Sequence, residues 1–313
     1  MPRISVIMSI YKEPVEWINL SIESILSQSF SDFEFIITND NPSRKENSII
    51  LEEFSKRDGR IVTVTNTINI GLTKSLNKAI DIASGDYIAR MDADDISVPE
   101  RFEKQVRYME SHPEIGVCGS AIEYIGCRSG YKSYPENVDS QNLMLESPFA
   151  HPSVMIRKSA MNESKYNEDF RYSQDFELWI SLYSKSVCFH NLQEPLLKYR
   201  ISNEQIMAKH GKDQLELSCS LRRRAYNCYM KLNGLSERMP EDDLYYRQKS
   251  QLVSHISDNN KKEFLFYLYC SFHDNGLFVF IMALLSGDCR RIGFINTLRL
   301  LKYKVLGRDA IKF

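Results

Sequence analysis

Three carboxylates fall within four residues in Asp92-Ala93-Asp94-Asp95, directly after the apolar stretch Tyr87–Met91. Crowded in a fold, such groups resist ionisation unless a cation sits among them. Hard divalent cations, Mn2+ or Mg2+, prefer oxygen ligands and also bind phosphate oxygens. Asp92 and Asp94, two apart, therefore suit a metal that holds a phosphorylated ligand, and Asp95 is a further contact. A solvated acidic turn ahead of the helix at Pro99 would carry the same residue types, so position in the fold decides between the readings.

The elements around this turn follow from periodicity. Ile4–Ser9, Phe33–Thr38, Ile61–Thr65, Tyr87–Met91 and Ile115–Ala121 read as buried strands. Between them Val15, Ile18, Ile22 and Ile25 share a helical face, Ser43–Lys56 is a second helix, and Leu72, Leu76, Ala79, Ile80 and Ala83 mark a third that Gly85 ends. Pro99–Glu110 reads as a fourth, with the proline in its first turn. Strands alternating with helices predict an α/β fold with a mostly parallel sheet covered on both faces, because each parallel connection needs a crossover. Ligands of such sheets lie beyond the strands' carboxyl ends. The segments after Ser9, Thr38 and Met91 are thus the places to search, and the acidic turn is one of them. After Gly126 the pattern changes: 127–150 is polar and turn-rich, then come an apolar run at Ser153–Ile156, a helix at Asp175–Ser184 and a strand-like Leu196–Ile201. Phe176, Trp179, Ile180 and Tyr183 form that helix's apolar stripe, which lets Asp175 project away from the core. From Asn203 the chain reads as helical, giving residues 1–204 as a catalytic unit and 205–313 as a helical region.

Several blocks together carry a family resemblance. Ile4-Ser-Val-Ile-Met-Ser-Ile-Tyr11, Ser24-Ile-Leu-Ser-Gln28 and Phe33–Asp40 come first, then Asn69-Ile-Gly71-Leu72, Ser75-Leu-Asn77 and Ala83–Arg90 lead into the acidic turn. In this order they resemble glycosyltransferase family 2 over residues 3 to 202. The resemblance implies a GT-A fold, a helical subdomain after it, and inverting transfer of a sugar from a nucleotide diphosphate, UDP-sugar favoured. It places Asp40 against the nucleotide base, where an acceptor-only carboxylate suits a ring N–H of uracil or thymine. Ser9 and Tyr11 would line the same pocket. Asp175 matches the general base that takes the acceptor hydroxyl's proton, with Glu177 as fallback. His151, in His151-Pro-Ser-Val-Met-Ile-Arg157, is a possible donor or acceptor contact, and Lys74, Arg90 and Arg200 are candidates for the diphosphate. The chain departs from the family pattern at Asn39, Gln174 and Ser202, where Asp, Glu and a metal-shell His are usual. Water, Asp95, His151 or His210 would fill the last place.

Composition excludes several classes. The 313 residues are 43% hydrophobic and 26% charged, with 40 basic against 41 acidic side chains, so nothing marks the chain as disordered or as a nucleic-acid binder. Seven cysteines without a Cys-x-x-Cys pair predict reduced thiols. The absence of a leader pattern or a spanning apolar run predicts a cytoplasmic chain. From Asp288 onward seven basic residues oppose two acidic ones, which suits the inner face of a membrane carrying lipid-linked acceptors; Arg291 and Lys302 on the face of Ile295 and Leu298 suit helix pairing in a homo-oligomer equally well. The acceptor is read as a glycan, lipid-linked or protein-linked. Two alternatives stand beside the transferase: a catalytically degenerate scaffold subunit, suggested by the three departures, and a sugar nucleotidyltransferase, which would normally carry a Gly-rich loop after the first strand.

Overall fold

The computed structural model describes residues 1–139, 142–143, 147–161, 164–170 and 172–202, together with the helical positions 221, 224, 225, 228, 231 and 232. The rest of the expected helical region, with His210 and the basic segment after Asp288, lies outside the described residues. The chain divides into two compact units, Met1–Arg224 and Ala225–Phe313, and the first contains the whole sheet.

The chain opens as expected: β1 (Ile4–Ile10), α1 (Val15–Leu26), β2 (Phe33–Asn39), α2 (Lys45–Arg57), β3 (Ile61–Thr65), α3 (Leu72–Ile82), β4 (Tyr87–Arg90). There follow β5 (Ile96–Ser97), α4 (Arg101–Ser111), β6 (Ile115–Gly126), β7 (Gly130–Lys132) and β8 (Asn137–Val138). A 3-10 turn at His151–Ser153 leads to β9 (Met155–Arg157), the one-turn α5 (Lys158–Met161), α6 (Gln174–Ser184) and β10 (Cys188–Ile201). The sheet order is β3-β2-β1-β4-β9-β6-β10-β5, with β7 on β6 and β8 on β10. Ile4, Val6, Met8 and Ile10 of β1 and Phe35 and Ile37 of β2 are buried in one core with Ile18, Ile22 and Ile25 of α1. Leu76, Ala79 and Ile80 of α3 are buried as well. Two-sided cover is what made these strands read as continuous apolar runs.

Four expectations change. β9 enters antiparallel between β4 and β6, and β5 lies antiparallel on β10, so the sheet is mixed. β9 follows a long loop instead of a crossover helix, and three residues are too few to show their direction in sequence. α3 ends at Ile82 with Ala83 capping it. Gly85 serves a close approach instead: a Cβ there would meet the backbone carbon of Ile4 and nitrogen of Ser5 at 2.7 Å. Pro99 lies just before α4, its carbonyl accepting from the Ser29 N–H at 2.9 Å. Leu196–Ile201 proves to be the second half of β10, whose apolar pattern is broken by register shifts around Pro195. Among the described residues no helix is long and apolar enough to cross a membrane.

Candidate active site

Register sets the site. Ile7 of β1 pairs with Ile36 on one side and Arg90 on the other, so the chain leaves β1, β2 and β4 at one edge. The acidic turn begins there, and its three carboxylates offer oxygens that all lie within 4.8 Å of one another. Several elements brace the turn. Ser21 Oγ of α1 donates to the Asp92 carbonyl at 2.8 Å. The backbone N–H of Arg200 donates to Asp95 Oδ1 at 2.7 Å, and its Nε donates to the Asp94 carbonyl at 2.7 Å. The Arg200 guanidinium carbon stands 4.7 Å from the Trp17 ring centroid. Arg200, expected on a diphosphate, therefore clamps the turn, and it does not line the neighbouring cavity.

The electrostatics call for a cation. Burial, then Asp92 and Glu13, push the Asp94 carboxyl up to about 7. Burial with Asp92 and Asp94 holds Asp95 well above the usual carboxylate range. Asp95 Oδ2 is buried and has no hydrogen-bond partner. An all-oxygen donor set with one unsatisfied buried oxygen fits a divalent ion of the Mg2+ or Mn2+ kind. Arg90 pairs with Asp92 from inside the sheet. Burial works against the Arg90 charge, but Asp92 outweighs it and the guanidinium keeps its proton more tightly than usual.

Beside the turn opens a cavity of about 550 Å3. Arg90 and Asp92 line it with His151, Asp175 and the tyrosines Tyr124 and Tyr199 of β6 and β10. Ser173, just before α6, has a left-handed φ of 56°, uncommon for a residue other than glycine. Gln174 and Asp175, which follow it at the head of α6, both line the cavity. The apolar stripe holds the helix: Phe176, Trp179 and Ile180 are buried. Burial raises the Asp175 pKa, against hydrogen bonds from the N–H groups of Phe176 and Asp175, the charge of Arg90, and the Ser147 hydroxyl at 3.5 Å. A carboxylate so placed is readied to accept a proton. His151 Nε2 lies 2.6 Å from Tyr166 Oη, and Asn77 grips the Tyr166 main chain through both its amide groups at 2.9 and 3.0 Å. Burial, then Arg90, drives the His151 pKa well below its ordinary value, so the ring is neutral. Burial pushes the Tyr166 phenol up, so the hydrogen bond between Nε2 and Oη joins two neutral groups.

The structure thus brings Arg90, Asp92, His151 and Asp175 to one cavity, with Asp94 and Asp95 beside it. Other expected residues sit differently. Asp40 is buried, and its carboxylate accepts from Asn66 Nδ2 at 2.8 Å and from the Ile70 and Gly71 N–H groups at 2.9 Å, fixing the loop ahead of α3. Ser9, next to last in β1, pairs with Thr38. Tyr11 is exposed, and its carbonyl accepts from Asn41 and Asn47. Lys74 is exposed on α3 and does not line the cavity. Glu177, the expected fallback base, is buried and paired with Arg224 and does not line the cavity. Sequence reasoning missed Arg101. Fully buried, it donates from Nη2 to the carbonyls of Arg90 at 2.9 Å and Val154 at 3.2 Å, and so ties the end of β4 to the start of β9. Burial and the neighbouring Arg90 bring its pKa down to about 9. A lone arginine in a polar helix turn gave no signal of this. Tyr124 and Tyr199 were equally silent, reading as ordinary strand residues.

Such a sheet, with a carboxylate cluster closing β4 and a second carboxylate at a helix head across the cavity, defines a GT-A glycosyltransferase. The comparisons with known proteins agree. Residues 5–174 match the family model described as Glycosyl transferase family 2. The chain is 38% identical over 208 residues to an uncharacterized glycosyltransferase of Methanocaldococcus jannaschii, covering 64% of this chain and 72% of that one. It is 34% identical over 212 residues to an O-antigen biosynthesis glycosyltransferase of Escherichia coli, covering 65% of this chain and 82% of that one. Its fold resembles that of S. aureus TarS residues 1–349, crystallised with UDP-GlcNAc, at a TM-score of 0.61 and 15% identity over 98% of this chain and 92% of that one. The chain belongs to glycosyltransferase family 2 and is an enzyme of that kind.

Proposed function

We propose that the protein transfers a sugar from a nucleotide diphosphate, a UDP-sugar in the favoured reading, to a hydroxyl of a cell-surface glycan or glycoconjugate, with inversion at the anomeric carbon. The observation that carries this is the opposition, around one cavity, of Asp92 beside Asp94 and Asp95 to Asp175. The UDP-GlcNAc in the TarS crystal and the O-antigen relative support donor and acceptor class.

Asp92, Asp94 and Asp95 would hold Mn2+ or Mg2+. When bound, the ion would offset charge growing on the departing diphosphate, so that the C–O bond breaks without an acid. Asp175 takes the acceptor hydroxyl's proton as its oxygen attacks the anomeric carbon from the face opposite the diphosphate. One direct displacement inverts the centre and needs no covalent intermediate. His151, neutral and held by Tyr166, orients substrate through hydrogen bonding without adding charge. Arg90 pairs with Asp92 and holds its carboxylate in place. The Asp40-anchored loop, with Ser9 and Tyr11, forms the wall for the nucleoside.

We place the reaction at the cytoplasmic face of a membrane, with the basic segment after Asp288 as the contact to lipid or to a second copy. Liposome flotation and light scattering of the full-length chain test that contact. The central reading is tested by titrating UDP with and without manganese and against Asp94→Ala. Manganese-dependent affinity that Asp94→Ala abolishes is expected; equal affinity in all three cases would refute it.

A further inference from the structure

The cavity is not acidic throughout. The β6–β7 hairpin closes it with Arg128 and Lys132, which both line it, as does Tyr134 beyond. Two glycines set this hairpin. Gly126 has φ +87° and passes so close to β10 that a Cβ would meet the Ile201 carbonyl oxygen at 2.6 Å, and Gly130 has φ +112°. Only glycine takes both conformations without strain, and the pair folds Arg128 back over the cavity.

Arg128 is exposed, and its guanidinium carbon sits 4.1 Å from the Tyr124 ring centroid. Lys132 Nζ sits 4.6 Å from that of Tyr134. A guanidinium stacked on a ring is held in place and weakly hydrated, with its edge donors still available to a planar or tetrahedral anion. Among the described residues no carboxylate pairs with Arg128. The third cation of the cavity, Arg90, is committed to Asp92.

A row of aromatic side chains leads to Arg128 along the cavity wall. Tyr199 feels the charges of Asp92, Asp95 and Asp94. Its ring meets Tyr124 edge-on at 6.2 Å, and Arg128 stacks on Tyr124 in turn. Two aromatic side chains thus run along the cavity wall from the carboxylate cluster to this guanidinium. An anionic acceptor entering a cavity lined by Asp92 and Asp175 would meet like charge there, and Arg128 on the same wall supplies the opposite charge.

We infer that Arg128 recognises an anionic group, a phosphate ester or a carboxylate, carried by the acceptor next to the sugar that receives the transfer. The inference rests on the transferase reading and adds a charge requirement to its acceptor. Tyr124 positions the guanidinium.

Calorimetry on the full chain, saturated with UDP and manganese, tests it with three probes: a hexose 1-phosphate alkyl ester, methyl glucuronide and a neutral alkyl glucoside. At least one anionic probe is expected to bind about tenfold tighter than the neutral one, as a charge-assisted contact should. Arg128→Gln is expected to remove that preference, and added salt to shrink it. A preference for the phosphodiester places the anion on a lipid-phosphate-linked sugar; a preference for the glucuronide places it on a uronic acid. Equal binding of all three probes, no saturable binding of either anion, or a preference that survives Arg128→Gln overturns the proposal. So does a loss of UDP affinity in Arg128→Gln matching the loss for the anion, since the guanidinium would then serve the donor. UDP binding by the unaltered chain, read in the same titrations, reports separately on the transferase reading.

Discussion

Replacing Asp175 by asparagine should separate chemistry from folding. The amide matches the carboxylate in shape and still accepts the Phe176 N–H at the head of α6, but it cannot take a proton. General-base assistance contributes roughly 10²- to 10⁴-fold, equivalent to about 3 to 5 kcal/mol of barrier. The upper part of that range is expected, because neither neighbour can substitute. Glu177 lies two residues on, about 200° around the helix, and is buried against Arg224. His151 is already engaged at Nε2 by Tyr166. Stability should move the other way. Burial raises the folded pKa of Asp175 above its unfolded value, so ionisation costs folding free energy. That cost is absent below the ordinary carboxylate range, grows through the window up to the raised pKa, and is complete above it. Asp175→Asn lacks it, and should melt above the native chain at pH 8 and level with it at pH 3.5. UDP affinity with manganese, measured alongside turnover, should stay near native, since the base acts on the acceptor. Near-native turnover would refute the assignment, and a marked fall in melting temperature with lost UDP binding would show Asp175 to be structural.

The pH–rate profile of the native enzyme at saturating donor should have an acidic limb above the ordinary carboxylate range, with rate lost as pH falls and Asp175 becomes protonated; a limb at or below that range counts against the assignment. Gly85→Ala places a Cβ 2.7 Å from rigid β1 backbone, and should cost about 1–3 kcal/mol in denaturant unfolding; an unchanged midpoint contradicts the packing argument. Arg200→Lys keeps the charge but loses the Nε hydrogen bond to Asp94 and the plane over Trp17. Support of that kind behind metal ligands is worth roughly 10- to 100-fold in affinity, so manganese binding should weaken by that order, and an unaltered affinity would show that the clamp is dispensable.

The four parallel strands and the acidic turn were legible because their causes are local. β1, β2 and β4 are buried on both faces and so read as apolar runs, β3 at the sheet edge reads from its β-branched Ile-Val-Thr-Val-Thr, and Asp92, Asp94 and Asp95 are neighbours in sequence that stay neighbours in space. Asp175 was legible for a similar reason, since the stripe of Phe176, Trp179 and Ile180 left its side of α6 for the cavity. Arg101 was not, because a fully buried guanidinium and an exposed one look alike in a helix of mixed polarity. Nor was Arg128, whose place depends on two glycine conformations and on the close pass of Gly126 by Ile201.

The least legible step also does the most to build the site. β9 runs antiparallel between β4 and β6, and the Arg90 N–H donates to the Val154 carbonyl at 3.0 Å, just ahead of β9. Arg101 caps the same junction from below through both carbonyls. His151 stands three residues before Val154, in a 3-10 turn whose Ser153 Oγ donates to the Ala150 carbonyl at 2.8 Å. The inserted strand thereby fixes the distance from the imidazole to Arg90, whose charge helps keep that imidazole neutral. Had β6 followed β4 directly, as simple alternation suggests, the His151 turn would have no seat beside Arg90, and the cavity would lose the wall between Asp92 and Asp175. A mixed sheet is therefore a requirement of this site: a parallel neighbour to β4 would arrive through a crossover helix, whereas the short antiparallel strand delivers its preceding turn to the carboxyl edge where the carboxylates already stand.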